Sequence, residues 1–229
     1  MAITVERVTT PRGELVLRRC VDSAEHFEVI SNGVFLMDTR NGESERLLVR
    51  AALALAASPR NVLVGGLGVG FSLLEALADE RVERVVVVEI EPAILRWHEQ
   101  HLRHISAEAR SDRRTEIVIA DVATMLRDSD EQYDVICLDV DNGPSWTVTE
   151  ANAGLYGNDG TALIASRLTP GGVLSVWSAA RSASYEQVLS QHFGQVNVID
   201  VPVPRGEPDV VFTATRPVAQ TQGRDSDSS

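Results

Sequence analysis

A glycine-rich turn follows the first long apolar run of the sequence. The run Val62–Val64 leads into three alternating glycines, Gly66, Gly68 and Gly70, and a helical pattern begins directly after them. Glycines let the backbone pass close to a ligand, and the next helix points its first amide groups at that ligand. A dinucleotide fingerprint would need a small residue at its sixth position, where this sequence has Phe71. The spacing therefore favours a ligand without a pyrophosphate, such as S-adenosylmethionine, with a purely structural tight turn as the alternative.

Two later apolar runs each end in an acidic residue. Glu89 ends VVVVE, with Ile90 beside it, and a carboxylate there can accept both hydroxyls of a ribose. Asp121 ends IVIAD and can accept from an adenine amino group, while Val122 offers a backbone amide and an apolar wall. The structural alternatives are a solvated strand-end acid at Glu89 and a helix N-cap at Asp121.

A third run, YDVICLD, ends in Asp139, and a further acid, Asp141, follows two residues later. A carboxylate at this place can take a proton from an attacking amine, and a second one can orient that amine. Because the carboxyl ends of parallel strands share one edge of a sheet, we expect all these acids to converge on one crevice. The candidate cofactor-binding residues are Gly66, Gly68, Gly70, Glu89, Ile90, Asp121 and Val122, and the candidate catalytic residues are Asp139 and Asp141.

The elements that must position these residues form three segments. Residues 1–42 alternate in short apolar runs around the turn signal Ser31–Gly33, which predicts a small β-hairpin region. Residues 43–216 begin with a helix over 43–57 and then alternate apolar strands with helices, including one helix over 92–105. This pattern predicts an α/β fold with a doubly wound, Rossmann-like sheet, mostly parallel and closed by a C-terminal antiparallel strand. Residues 217–229 carry no aromatic and almost no apolar side chains and are predicted to be a disordered tail.

Composition excludes several classes of protein. The 229 residues carry 33 acidic and 21 basic side chains, a formal charge of −12, which argues against nucleic acid as a partner. No apolar run reaches the ~18–20 residues of a membrane span, and the first residues lack the apolar core of a signal peptide. Cys20 and Cys137 are too few for a disulfide framework or a zinc motif. We therefore expect a soluble, cytoplasmic protein.

Three histidines, His98, His101 and His104, raise the question of a metal site. Zinc helices use spacings of four residues, whereas these spacings are three and drift around a helix by roughly 60° at each step. We therefore predict that no metal is bound. Trp146, Tyr156 and Trp177 follow acidic strand ends, and they either wall the ligand pocket or pack in the core.

The segment from about 61 to 215 resembles the polyamine aminopropyltransferases, the spermidine synthase family, within the class I S-adenosylmethionine-binding fold. The segments that carry the resemblance are VLVGGLGVG, VVVVEIEP, IADVATML, YDVICLDVDNGP and LTPGGVLSVWS. The resemblance implies a transferase of polyamine biosynthesis that binds decarboxylated S-adenosylmethionine as a co-substrate. It also implies a homodimer whose contact includes the N-terminal hairpin region.

Residue by residue, the resemblance assigns Glu89 to the nucleoside ribose, Asp121 to the adenine and Asp139 to proton removal from the amine. Asp141 approximates the second family aspartate, because D-x-x-D-P has become D-x-D-N-G-P. Gly68 stands where the family usually carries an acid that holds the aminopropyl amine. The family's gatekeeping tyrosine and glutamine are also absent from residues 36–47.

These departures leave three functions open. The first is aminopropyl transfer to a small amine such as a di- or polyamine. The second is methyl transfer from intact S-adenosylmethionine to a small molecule, which the glycine at position 68 supports. The third is nucleoside binding without catalysis, which the missing substrate residues support.

Overall fold

The computed structural model describes residues 2–23, 25–140, 143–144, 154–203 and 206–217. Its first element is a four-stranded antiparallel sheet with the strands in chain order. Those strands are β1 (Ala2–Thr10), β2 (Gly13–Cys20), β3 (Phe27–Ser31) and β4 (Val34–Asp38). The turn between β3 and β4 has positive φ angles at Asn32 and Gly33, as its sequence predicts. Strand β1 lies ahead of the apolar runs on which the hairpin prediction rests, and none of its residues is fully buried.

The main sheet has seven strands in the order β10-β11-β9-β8-β5-β6-β7. Its strands are β5 (Asn61–Gly65), β6 (Arg84–Glu89), β7 (Thr115–Ile119), β8 (Tyr133–Leu138), β9 (Leu168–Ser178), β10 (Phe193–Val201) and β11 (Asp209–Pro217). Neighbours from β7 across to β9 run parallel, whereas β11 is antiparallel to both β9 and β10. This topology confirms the predicted fold class: a Rossmann-like, mostly parallel sheet with antiparallel strands at its C-terminal end.

Helices connect or flank the strands in the described part of the chain. They are α1 (Glu43–Leu55), α2 (Phe71–Ala78), α3 (Pro92–Gln100), α4 (Arg103–Ser111), α5 (Val122–Asp128), α6 (Asn158–Ser166) and α7 (Ala183–His192). The single helix predicted over 92–105 is wrong, because the chain forms α3 and α4 there. The carbonyl of Trp97 accepts from both His101 and Leu102, which closes α3 and lets Trp97 and Leu102 turn into the core.

The core lies on both faces of the main sheet. Alternate residues of β5, such as Val62 and Leu63, belong to different apolar clusters, one on each face. The parallel strands are therefore near-continuous apolar runs rather than alternating ones. Residues Leu17 and Val29 of the small sheet belong to the same cluster as Val62, so the small sheet packs onto the main core.

The boundaries predicted at 42/43 and 216/217 stay predictions. The small sheet shares its apolar cluster with α1 and β5, and the predicted tail lies outside the described residues apart from the last residue of β11. No helix in the described ranges combines the length and apolar character that crossing a membrane requires.

Candidate functional site

The glycine turn after β5 forms one side of a cavity of about 570 Å³. Gly66 has a φ of +94°, and a side chain there would place its Cβ 2.2 Å from the carbonyl oxygen of Asp139. Gly68 has a φ of +52° and its Cβ would lie 2.9 Å from the Sδ of Met37, which reaches over from β4. Both glycines line the cavity. Gly70 is the N-cap residue of α2 and is not part of the cavity lining. The turn thus brings backbone rather than side chains to the ligand space.

Glu89 lies beneath this turn at the end of β6. One carboxylate oxygen accepts from the backbone N–H of Leu67 at 2.9 Å and the other from that of Glu91 at 2.8 Å. Burial raises the pKa of Glu89, and the two backbone donors act against that rise. Glu89 lines the cavity and is held in one orientation by main-chain groups, so it is not a solvated strand-end acid.

Asp121 follows β7 and caps α5. Its Oδ1 accepts from the backbone N–H of Thr124 at 2.7 Å, which is the N-cap bond that its position predicts. Asp121, Val122 and Ile90 all line the cavity. Asp121 therefore caps α5 and lines the cavity at the same time. Its contact with adenine stays a prediction.

Asp139 follows β8, lines the same cavity, and feels the charges of two acids from other elements. Glu45 comes from the first turn of α1 and Asp209 from the start of β11. Burial raises the pKa of Asp139 to about 8, helped by the charges of Glu45, Asp209 and Glu89. Burial likewise raises the pKa of Glu45 to about 7, with further contributions from Asp209 and Asp38. Burial and the neighbouring negative charges thus favour the protonated forms of Asp139 and Glu45, and a bound cation would favour their ionised forms.

Glu45 and Asp209 are site residues that no sequence motif indicated. Asp209 accepts a hydrogen bond from the hydroxyl of Ser44 at 2.6 Å, which fixes it against α1. The two elements are 165 residues apart, and neither residue belongs to a motif. Only the packing of α1 against β11 brings these carboxylates to Asp139. Asp141, the second catalytic candidate, lies outside the described residues.

The described lining of the cavity is strongly acidic. Its acidic residues are Asp38, Glu45, Glu89, Glu91, Asp121, Asp139, Glu207 and Asp209, and its basic residue is Arg12. Arg12 reaches over from the turn after β1 and donates to Oε1 of Glu91 and to the carbonyl oxygen of Ile90, each at 2.7 Å. Glu91 forms an ion pair with this guanidinium, and the other charged side chains of the described lining are all acidic. The cavity therefore suits a ligand with positive charges.

The three histidines have different hydrogen-bonding and charged partners. His98 is fully buried beneath Gly68, His101 lies near Glu6, and His104 bonds the carbonyl of Glu25. Among the residues that the structure describes, no group of three or more His, Cys, Asp or Glu side chains is arranged to hold a metal ion.

The cysteine and the aromatic residues named from the sequence lie partly in the core and partly at the cavity. Cys137 is buried in β8, and burial raises the pKa of its thiol, so it packs rather than reacts. Trp177 lines the cavity, while Tyr156 stacks edge-on against Tyr185 in the core. Trp146 lies outside the described residues.

Comparison with known proteins agrees with this arrangement. Polyamine aminopropyltransferase 2 of Pseudomonas aeruginosa is 32% identical over 169 residues, which are 69% of this chain and 46% of that protein. The polyamine aminopropyltransferase of Oceanobacillus iheyensis is 27% identical over 173 residues, 75% of this chain and 31% of that protein. The chain thus spans less than half the length of these two curated relatives.

Solved spermidine synthases share the fold. A spermidine synthase in complex with the transition-state analogue AdoDATO superposes with a TM-score of 0.77 at 20% identity, covering 93% of this chain and 73% of that one. The spermidine synthase of Thermotoga maritima gives a TM-score of 0.75 at 19% identity, with 93% and 72% coverage.

The family model named spermine/spermidine synthase domain matches residues 43–205. This match extends from α1 through the glycine turn, Glu89, Asp121 and Asp139, and it confirms the resemblance drawn from the motifs. The chain therefore belongs to the spermine/spermidine synthase family.

Proposed function

We propose that this chain is an aminopropyltransferase, which moves an aminopropyl group from decarboxylated S-adenosylmethionine to a small amine. The observation that carries this proposal is the acidic lining of the cavity, where Arg12 is already bound by Glu91. Both reactants of such a transfer are cations, and carboxylates attract and hold cations. The names of the relatives, polyamine aminopropyltransferases, support the same reaction.

The charge of the cavity also bears on the choice of co-substrate. Intact S-adenosylmethionine carries a carboxylate whose charge a cation would balance, and the only cationic side chain in the described lining is Arg12, which Glu91 already binds. Decarboxylated S-adenosylmethionine lacks that group and presents an ammonium instead. Although Gly68 provides no acid, the acids at Glu45, Asp139 and Asp209 supply negative charge in the same cavity. We therefore favour the decarboxylated form over methyl transfer.

The proposed step is a displacement at the carbon next to the sulfonium. The amine nitrogen forms a bond to that carbon, the carbon–sulfur bond breaks, and its electron pair stays on sulfur as the neutral thioether methylthioadenosine. Glu89 holds the ribose and Asp121 the adenine, so that the reacting carbon faces Asp139. The protein mainly aligns the two reactants, because the sulfonium is already an activated leaving group.

Asp139 is proposed to take the proton of the attacking amine. An alkylammonium has no free electron pair, so the amine must be neutral before it attacks. The pKa of about 8 for Asp139 in the free protein suits a base that works near neutral pH. Glu45 and Asp209 are proposed to hold the rest of the acceptor through its other positive charge.

The deciding experiment compares the two co-substrates on one preparation. We expect decarboxylated S-adenosylmethionine to bind more tightly than the intact form in calorimetry. We also expect mass spectrometry to detect methylthioadenosine and an aminopropylated amine when diamines are supplied. Methyl transfer from the intact form would favour the methyltransferase instead. Tight binding of either compound with no product from any amine would indicate a non-catalytic nucleoside-binding protein.

A further inference from the structure

His98 of α3 is a buried side chain that the proposed chemistry does not use. It is 0% exposed, and it lies directly behind the glycine turn. Its Nε2 is 2.9 Å from the carbonyl oxygen of Gly68, and its Nδ1 is 2.6 Å from the Oγ of Ser106 in α4. The side chain therefore bridges the turn to two helices.

The two bonds determine the tautomer of this imidazole. A carbonyl oxygen only accepts, so Nε2 must carry the hydrogen that is donated to Gly68. The Ser106 hydroxyl then donates to Nδ1. Burial lowers the pKa of His98 to about 4, which keeps the ring neutral and this arrangement intact at neutral pH.

The turn needs an external anchor because glycine adopts many backbone conformations. Gly66 donates its N–H to Val88 at 2.8 Å and Leu67 donates to Glu89, so both residues are tied to β6. Gly68 lies inside a tight turn that the N–H of Gly70 closes on the carbonyl of Leu67 at 2.8 Å, and the bond from His98 to the Gly68 carbonyl fixes the plane of the following peptide. Without that bond, the glycine would have to lose its conformational freedom when the ligand binds.

Packing around the turn leaves little room for another anchor. A Cβ on Gly70 would lie 3.3 Å from both the ring of His98 and the Cβ of Ser106. On the other side of the turn, Met37 approaches Gly68 from the small sheet. His98 is thus the polar group that the fold places between the turn and the helices behind it.

We propose that His98 is a positioning residue that holds the glycine turn in its nucleoside-binding conformation through the carbonyl of Gly68. The inference rests on the proposed use of this cavity for a nucleoside. It assigns His98 to pre-organisation of the site, without contact to the reacting atoms. Substitution of His98 should therefore lower nucleoside affinity more than it lowers the stability of the fold.

Three variants test this role: His98→Leu removes the donor, His98→Gln retains one, and His104→Gln is the matched control on α4. Methylthioadenosine affinity is measured by calorimetry, and the melting temperature is measured on the same preparations. We expect His98→Leu to weaken binding about tenfold, in line with the loss of one hydrogen bond and of pre-organisation. His98→Gln is expected to recover most of that loss, and His104→Gln to bind as the wild type does.

Unchanged affinity in His98→Leu would overturn the inference, as would equal losses in the Leu and Gln variants. Failure of the wild type itself to bind methylthioadenosine would instead overturn the proposed function. Nitrogen-15 NMR of the histidines in the wild type provides a readout that does not depend on folding of the variants. We expect a neutral Nε2–H tautomer both before and after saturation with methylthioadenosine, and an Nδ1–H tautomer or a protonated ring in the free protein would also overturn the inference.

Discussion

At the scale of single residues, the acids at the ends of β6 and β8 differ in their surroundings. Glu89 accepts from two backbone N–H groups, whereas Asp139 faces the carboxylates of Glu45 and Asp209. Backbone donors hold Glu89 in one orientation, which suits a binding residue. Burial, helped by repulsion from these carboxylates, raises the pKa of Asp139 and favours its protonated form, which suits a group that exchanges protons. The two strand-end carboxylates thus have different surroundings, in keeping with the different roles proposed for them.

The first prediction concerns Asp139→Asn, which keeps the shape of the side chain but removes the base. We expect turnover to fall by about 10²–10⁴-fold, the usual span for a general base, while nucleoside affinity is retained. The loss should shrink as pH rises, since free amine then becomes available in solution. Steady-state rates, calorimetry and melting temperature on one preparation check this. Unchanged turnover with a lower melting temperature would remove Asp139 from the catalytic role and leave Asp141 as the next candidate.

The second prediction compares Glu89→Ala with Asp121→Ala. Loss of the charged, bidentate ribose contact at Glu89 should weaken methylthioadenosine binding by ~1.5–3 kcal/mol, more than the loss at Asp121. Asp121→Ala should also destabilise the protein by ~0.5–2 kcal/mol, because α5 loses its N-cap bond. Calorimetry and urea unfolding separate the two effects. A Glu89 variant that binds like the wild type would mean that the nucleoside site has been misplaced.

The third prediction is a pH dependence of stability. The raised pKa values of Asp139 and Glu45, about 8 and about 7, mean that the folded protein binds more protons there than the unfolded chain does. Stability from these groups is therefore lost as pH rises from about 4 to about 8. We expect the free energy of unfolding in urea to fall over this range, and Asp139→Asn to flatten the fall. Glu80→Gln, an exposed acid outside the cavity, is the control. An equal slope in all three proteins would contradict the prediction.

At the scale of elements, one ion pair connects the small sheet to the ligand edge of the main sheet. Arg12, in the turn between β1 and β2, bonds Glu91 and the carbonyl of Ile90, and Thr10 donates to the same carboxylate. The N–H of Glu91 in turn bonds Glu89. The small sheet is therefore linked to the proposed ribose acid through main-chain and side-chain bonds.

The fourth prediction tests this link with Arg12→Met. The guanidinium is 35% exposed and Glu91 is 11% exposed, so the pair is only partly screened by solvent. We expect a loss of about 1–2 kcal/mol in the free energy of unfolding and a several-fold weaker affinity for methylthioadenosine. A double-mutant cycle with Glu91→Gln isolates the pair from other contacts of either residue. Additive effects of the two substitutions would show that the pair does not couple the sheets.

At the scale of the whole molecule, the oligomeric state stays a prediction. Residues 13–40 alone are too few for a core, but the small sheet buries Leu17 and Val29 against the main core of its own chain. One surface for a contact with a second copy is the free edge of β1, where Ile3 is 49% exposed and Val5 is 36% exposed. Exposed apolar residues on an edge strand favour pairing with a second copy.

The fifth prediction is therefore a dimer in which β1 contributes to the contact. Sedimentation velocity at micromolar concentration should show a dimer for the wild type and a monomer for a double variant with Ile3→Lys and Val5→Lys. Ile119→Lys is the matched control, since Ile119 is 42% exposed on β7, the edge of the other sheet. A wild type that sediments as a monomer would refute the dimer. A monomeric Ile119→Lys variant would show instead that the dimer contact includes the β7 edge of the main sheet.

The parts of the site that the sequence predicted are those whose signal is local. A glycine turn after an apolar strand, and acids at the ends of later strands, are short patterns along the chain. Parallel strands share one direction, so these patterns place Gly66, Glu89, Asp121 and Asp139 at one edge of the sheet, as observed. The C-terminal antiparallel strands were likewise visible, because β10 and β11 lie next to each other in the sequence.

Tertiary structure alone decided the rest. Glu45, Asp209 and Arg12 reach the cavity only because α1, β11 and the small sheet pack over the edge of the main sheet. No spacing along the chain encodes these approaches, since they depend on how separate elements bury their apolar faces. His98 belongs to a histidine triplet that raised the possibility of a metal site. Only the tertiary structure shows that it is buried behind the glycine turn and bonds the carbonyl of Gly68. Local pattern thus determined the fold and the strand-end residues, whereas long-range packing determined the charge of the cavity and the support of its turn.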